Sequence, residues 1–159
     1  MANNKSGCLS IFLPFLQKKT ETEKLPYRVR DDFLSPAELS FYKVLQPVVG
    51  TKLAIQSKVR LADVFFVARH NENRSYLGKI SQKHVDFLVC DAMTMKPLFG
   101  IELDDASHKR PDRQERDAFV DDVFRTANLP LLRFPVQRAY SRDEIVSKIA
   151  PLFKKDSSA

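Results

Sequence analysis

The sequence predicts an α/β fold with one mixed sheet flanked by helices. Three observations carry this expectation. A capping box opens a helix at Ser35. Two segments of alternating apolar residues, Lys83–Cys90 and Leu98–Asp104, flank a stretch of turn composition. A helix, a short strand and a second helix then complete the chain. Such a mixture buries a sheet under helices and gives a layered sandwich.

Each element has its own local reason. In Ser35-Pro36-Ala37-Glu38 the serine caps, proline takes the first helical position and Glu38 reaches back. Leu39, Tyr42, Leu45, Val48 and Val49 recur at helical spacing until Gly50. Leu53–Val59 and Leu61–Val67 read as short extended segments, a helical turn being the alternative for the second, and 69–78 reads as a polar loop. In Lys83–Cys90, Val85, Phe87 and Val89 share one face, with His84, Asp86 and Leu88 on the other. In Leu98–Asp104, Phe99, Ile101 and Leu103 alternate with Gly100, Glu102 and Asp104. A hairpin through 91–97 joins the two. Pro111 opens a helix to Ala127, with Phe119, Val123 and Phe124 on its apolar stripe. Leu129–Val136 is a short strand, and Ser141-Arg142-Asp143-Glu144 is a second capping box before the last helix.

The chain of 159 residues has room for one domain, and 43 % hydrophobic with 29 % charged residues excludes wholesale disorder. Two cysteines, Cys8 and Cys90, form neither a zinc spacing nor a disulfide framework, so the expected compartment is cytoplasmic. The net charge of +6 is concentrated at the ends: residues 1–30 hold six basic against two acidic residues, and 130–159 six against three. Nucleic acid is therefore a candidate partner, though charge alone argues for it weakly. Residues 1–24 read as an apolar and basic arm, in which Cys8–Leu16 (CLSIFLPFL) precedes Lys18 and Lys19. It is too short for a secretory leader and is expected either to pack on the domain or to remain a tail; a membrane-surface contact is the other reading. The domain is expected over 25–153, with a disordered tail at 154–159.

The chemically informative pair is Asp86 and Glu102. If the turn covers 91–97, Cys90 pairs with Leu98, and the same register sets Asp86 opposite Glu102 and His84 opposite Asp104. Opposed residues have Cβ atoms about 4.5–5.5 Å apart. Two like charges at that separation need something positive between them, and a divalent cation suits paired carboxylates. The plain alternative is that the acids face solvent on an open side of the hairpin.

Several motifs resemble an uncharacterised bacterial domain family: LPYRVRDDFLSPAE from Leu25, KHVDFLVCD, KPLFGIELDDASH, RQERDAFVDDVF and NLPLLRFPVQRAY. The resemblance covers residues 25–153. That family looks like a branch of the PD-(D/E)XK, or restriction-endonuclease-like, nuclease superfamily, whose relatives include very-short-patch-repair endonucleases and helicase-associated nuclease domains. The resemblance implies an αβββαβ core, in agreement with the order read above. It also implies a metal-dependent nuclease acting on DNA, with Mg²⁺ or Mn²⁺ held by Asp86, Glu102 and the Leu103 carbonyl, and with Glu38 as the helix acid some members add. The cation would polarise the scissile phosphate and activate a water. A helicase or topoisomerase partner is a further expectation of the same kind.

One departure matters. The superfamily pattern asks for lysine at 104, and this chain has Asp104. Candidates for the missing base are His108 and Lys83, and Asp104 itself could be a further ligand. Arg110, Arg113 and Arg116 are candidate phosphate contacts, against the ordinary reading of solvated helix charges. Glu38 is explained by its capping box alone. The missing lysine keeps a second reading open, a catalytically inactive nucleic-acid-binding module.

Overall fold

Four strands form one sheet in the order β1 (Leu53–Arg60), β2 (His84–Asp91), β3 (Pro97–Asp104) and β4 (Leu131–Pro135), with β1, β2 and β3 antiparallel and β3 and β4 parallel. This computed structural model describes residues 25–69, 71–105 and 111–153, the side chains of 111–113 excepted. The expectations for the arm at 1–24 and the tail at 154–159 lie outside the described residues. The chain divides into one unit through Asp31 and another from Asp32. The described part of the first, 25–31, is exposed and without regular secondary structure.

The predicted α/β sandwich is what the second unit forms. Helix α1 (Pro36–Val49) begins with the complete capping box: the Ser35 hydroxyl accepts from the Glu38 N–H at 3.3 Å, and the Glu38 carboxylate accepts from the Ser35 N–H at 2.6 Å. It stops at Gly50, whose φ of +63° suits a residue without Cβ. A one-turn helix α2 (Leu61–Val64) follows β1, then α3 (Arg74–Ser81), α4 (Pro111–Thr126) and α5 (Arg142–Ile149). The αβ connection through α4 is what allows β4 to lie parallel to β3.

Both faces of the sheet are buried. On one face α1 and α5 supply Phe41, Leu45, Val49, Ile145 and Ile149 against Phe87, Val89, Phe99, Ile101 and Phe134. On the other, α2, α3 and α4 supply Leu61, Ile80, Val120 and Phe124 against Val85, Leu88 and Cys90. The second face is closely packed at Gly100, where a Cβ would stand 2.6 Å from Phe124 Cε1. No described helix is long and apolar enough to cross a membrane.

Five local expectations are corrected. The expected polar loop over 69–78 gives way at Arg74 to α3, which buries Ile80; its cap residue Asn73 makes no side-chain cap bond, so no start signal marked it. Cys90 pairs with Pro97 rather than Leu98, because the ladder shifts register between Val89 and Cys90. The cap at Ser141 makes no side-chain hydrogen bond, so the second capping box is not formed. Val85 packs with Leu88 and Cys90, not with Phe87 and Val89. His84 pairs with Arg60 of β1, and the β2–β3 pairing ends at Phe87 opposite Ile101.

The displacement of Val85 has a cause. In β1, Leu53 and Ile55 pack into the first core, whereas strict alternation would put Val59 there and it packs into the second. The switch falls at Lys58, whose φ is +54° in the middle of a strand. A non-glycine residue in that region re-aims its side chain and costs of order 1 kcal/mol. Opposite it, the pairs Ser57–Phe87 and Val59–Val85 bracket Asp86. Both strands therefore exchange faces at one point, and the residues at that point are Lys58 and Asp86.

Candidate carboxylate site

Asp86 and Glu102 come together as the hairpin register predicts, although no ladder pair joins them. The register of Phe87 with Ile101 brings the next residues, Asp86 and Glu102, alongside each other. Where a backbone pair would continue, the Asp86 carboxylate instead accepts the Leu103 N–H at 2.8 Å. A side chain thus takes over a ladder bond, fixing the carboxyl group against β3.

The electrostatics follow from burial and crowding. Burial pushes Glu102 up to about 8, the Asp86 carboxylate pushes in the same direction, Arg133 and Arg116 oppose, and Asp104 adds to the rise. Burial also raises Asp86; the Leu103 hydrogen bond opposes this, Glu38 adds to it, and Lys58 and Arg116 counter it. Both acids favour the proton because Lys58, Arg116 and Arg133 offset burial and mutual repulsion only in part.

Two of the nearby cations, Lys58 and Arg133, are committed elsewhere. Lys58 Nζ donates to Glu38 Oε1 at 2.7 Å. Glu38 is the one buried polar residue of α1, and burial works against its charge, yet the bonds from Lys58 and Ser35 outweigh burial and hold it below the ordinary carboxylate range. Both Glu38 oxygens are thereby engaged, one by Lys58 and one by the Ser35 N–H. Arg133 of β4 lies in register with Glu102, donates to Asp104 at 2.6 Å and to Asp121 at 2.9 Å, and reaches the Asp117 carbonyl at 3.4 Å. Arg116 of α4 is exposed, and its charge favours the ionised forms of both Asp86 and Glu102.

The sequence candidates therefore separate. Asp86, Glu102, Leu103, Glu38, Asp104 and Arg116 gather at this end of the sheet. Lys83 does not join them by any described hydrogen bond or ion pair; its ammonium lies over the Phe119 ring, 5.2 Å from the centroid. His108 and Arg110 lie outside the described residues, as does the side chain of Arg113. Among the described residues no three His, Cys, Asp or Glu side chains form a group able to hold a metal ion. What the carboxylates present is a pair of hard oxygen donors, which suits Mg²⁺, a cation that keeps several waters and takes one or two protein carboxylates.

Two participants escaped sequence reasoning. Lys58 reaches Glu38 only because the strand breaks alternation, and Arg133 reaches Asp104 only because β4 lies parallel to β3. Removing Lys58 tests the first. Breaking a buried pair costs about 3–5 kcal/mol and an exposed pair under about 1 kcal/mol. The Lys58 side chain is 35 % exposed and that of Glu38 12 %, so Lys58→Met is expected to cost about 1–2 kcal/mol near neutral pH. Because the pair lowers the Glu38 pKa, that cost should vanish as pH falls through the carboxylate range. Urea titration of Lys58→Met, Glu38→Gln and the double variant measures it; strictly additive losses would show that the pair contributes nothing.

The chain belongs to a family of proteins of unknown function, DUF2726, whose profile matches residues 13–152. Neither a curated protein nor a solved structure matches it.

Proposed function

We propose that this DUF2726 domain is a metal-dependent nuclease that hydrolyses phosphodiester bonds of DNA, with Asp86 and Glu102 at its centre. The observation that carries the reading is the pairing of two partly buried carboxyl groups, both with raised proton affinity, beside Lys58, Arg116 and Arg133. A buried acid pair of this kind is costly to a fold that only needs to be stable, and such perturbed groups concentrate at functional sites. The order of helix and strands, with its parallel β4, supports the likeness to the PD-(D/E)XK superfamily. Fold likeness alone does not carry an activity.

The residues divide the work. Asp86 and Glu102, with the Leu103 backbone beside them, would hold Mg²⁺ or Mn²⁺, which supplies Lewis-acid polarisation of the phosphate when bound. The Leu103 N–H fixes the Asp86 carboxylate against β3, the strand that carries Glu102. Arg116, exposed and within electrostatic reach of the pair, would meet the phosphate. Lys58 is the cation this chain offers in place of the lysine missing at 104: held by Glu38, it would orient the attacking water from β1. Asp104 holds Arg133 in place. Basic flanks would add salt-sensitive contacts to the DNA backbone.

A second reading keeps the nucleic acid and drops the chemistry. The tie between Asp104 and Arg133 favours it, since an acid–arginine pair stands where the superfamily places its lysine. Circular single- and double-stranded DNA incubated with Mg²⁺ or Mn²⁺ separates the two readings. The wild type is expected to cut, and Asp86→Asn and Glu102→Gln are expected to lose more than the roughly 10–100-fold that loss of a mere supporting partner costs a metal site. Retained DNA binding with no cleavage under either metal would overturn the nuclease reading in favour of the binding module.

A further inference from the structure

Helix α4 carries Arg116 toward the carboxylates, and one turn farther along it Phe119 opens an unrelated feature. A groove of about 750 Å³ runs between α4 and the segment that leads from α2 into α3, lined by Phe65, Phe66, Tyr76, Lys79, Phe119 and Val123 among others. Phe65 and Phe119 belong to the second core, and Phe65 packs edge-on against Phe124 with ring centroids 4.9 Å apart. Phe66 and Tyr76 do not behave as core. Phe66 is 92 % exposed and Tyr76 53 % exposed, so two aromatic side chains stand open to solvent at one groove.

The charge around the groove is one-sided. Lys79 lies over the Tyr76 ring at 4.9 Å, and Lys83 over the Phe119 ring at 5.2 Å. Neither lysine has a carboxylate partner among the described residues. The acids present are neutralised: Asp122 by Arg125 at 2.6 Å, and Glu72 by Arg69 at 3.7 Å. Open aromatic faces interleaved with unpaired cations are what unpaired bases and their phosphates require, because every base has a stacking face and every linkage a charge. An apolar peptide would leave the two lysines uncompensated, and duplex DNA would hide the base faces.

We propose that this groove binds a single-stranded stretch of nucleic acid, stacking bases on Phe66 and Tyr76 while Lys79, and Lys83 beside Phe119, contact its phosphates. As an account of how substrate is led along α4 to Asp86 and Glu102 it rests on the nuclease reading, but the binding itself does not.

The test uses the full chain with EDTA at low salt, so that nothing can be cut. Fluorescence anisotropy compares a labelled oligothymidylate with a duplex of equal length. The single strand is expected to bind more tightly, and Phe66→Ala and Tyr76→Ala are each expected to weaken it about 5- to 100-fold, with little change in duplex affinity. Phe66→Trp should retain binding, and the exposure of these side chains means that the variants should melt with the wild type. If the single-strand losses appear but no metal supports cleavage, the groove stands and the nuclease reading falls. If cleavage occurs yet both alanine variants bind within twofold of the wild type, the groove proposal is overturned. Failure to bind either strand form, with an apolar dye taken up and released by Phe66→Ala, would also overturn it and assign the groove to an apolar ligand.

Discussion

Phe41→Ala is expected to lower the unfolding free energy by about 3–5 kcal/mol, the range for truncating a fully buried aromatic in a core that cannot collapse around the space. Phe41 is completely buried on α1 and is the hub of an aromatic cluster: its ring centroid lies 4.9 Å from Phe134, 4.9 Å from Tyr140 and 5.7 Å from Phe87. These partners come from β4, from the segment before α5 and from β2, so one side chain ties three parts of the chain to α1. Aromatic pairs add about 0.5–1.5 kcal/mol each beyond area burial. Phe41→Leu keeps most of the volume and should cost well under half as much. Urea unfolding at constant m-value measures both, and a loss below about 1.5 kcal/mol for the alanine variant would show that α1 does not depend on this cluster. The position also bears on the site, since Phe41 lies three residues after Glu38 on the same face of α1.

What could be read from the sequence was whatever local chemistry dictates. The capping box at Ser35 and Glu38 needs only four consecutive residues, and it forms. Alternation and turn length put Asp86 and Glu102 alongside each other, and the register they imply holds from Phe87 to Val89. The same arithmetic fails at Cys90, because a bulge changes the count without changing the composition. Strict alternation also misplaces Val85, because Lys58 takes up a positive φ that lysine does not advertise. Arg133 reaches Asp104 across a parallel pairing that is set only after α4 has packed, a non-local event with no signature in either segment. Helix α3 is polar on most of its surface and contains Gly78, so its single buried residue, Ile80, gave periodicity nothing to work with. The hairpin acids were thus legible, and so was Arg116, but Lys58 and Arg133 were not: the acids lie on a local hairpin, these two cations on the strands outside it.

That asymmetry leads to the expectation for Glu102 itself. Glu102→Gln should melt at a higher temperature than the wild type in metal-free buffer at pH 8, and with it at pH 4.5. A carboxyl group raised from 4.5 in the unfolded chain to about 8 in the fold binds its proton more tightly when folded. Its contribution to stability is therefore complete below about 4.5 and is lost as pH rises toward 8. Glutamine keeps the shape without the charge, so the variant's advantage grows through that window. At 1.36 kcal/mol per tenfold change in proton affinity, and allowing for partial solvent access, the gain should approach about 3 kcal/mol, or roughly 8 °C. A divalent cation should reverse the order. On the nuclease reading, Mg²⁺ or Mn²⁺ held by the ionised pair would stabilise the wild type by mass action and would not do so without Glu102. Melting curves across that pH range, with and without metal, separate the causes. A stability difference that ignores pH would mean that Glu102 is not held in a charge-averse setting. A pH-dependent difference that metal leaves untouched would leave the acid pair intact and remove the cation from it.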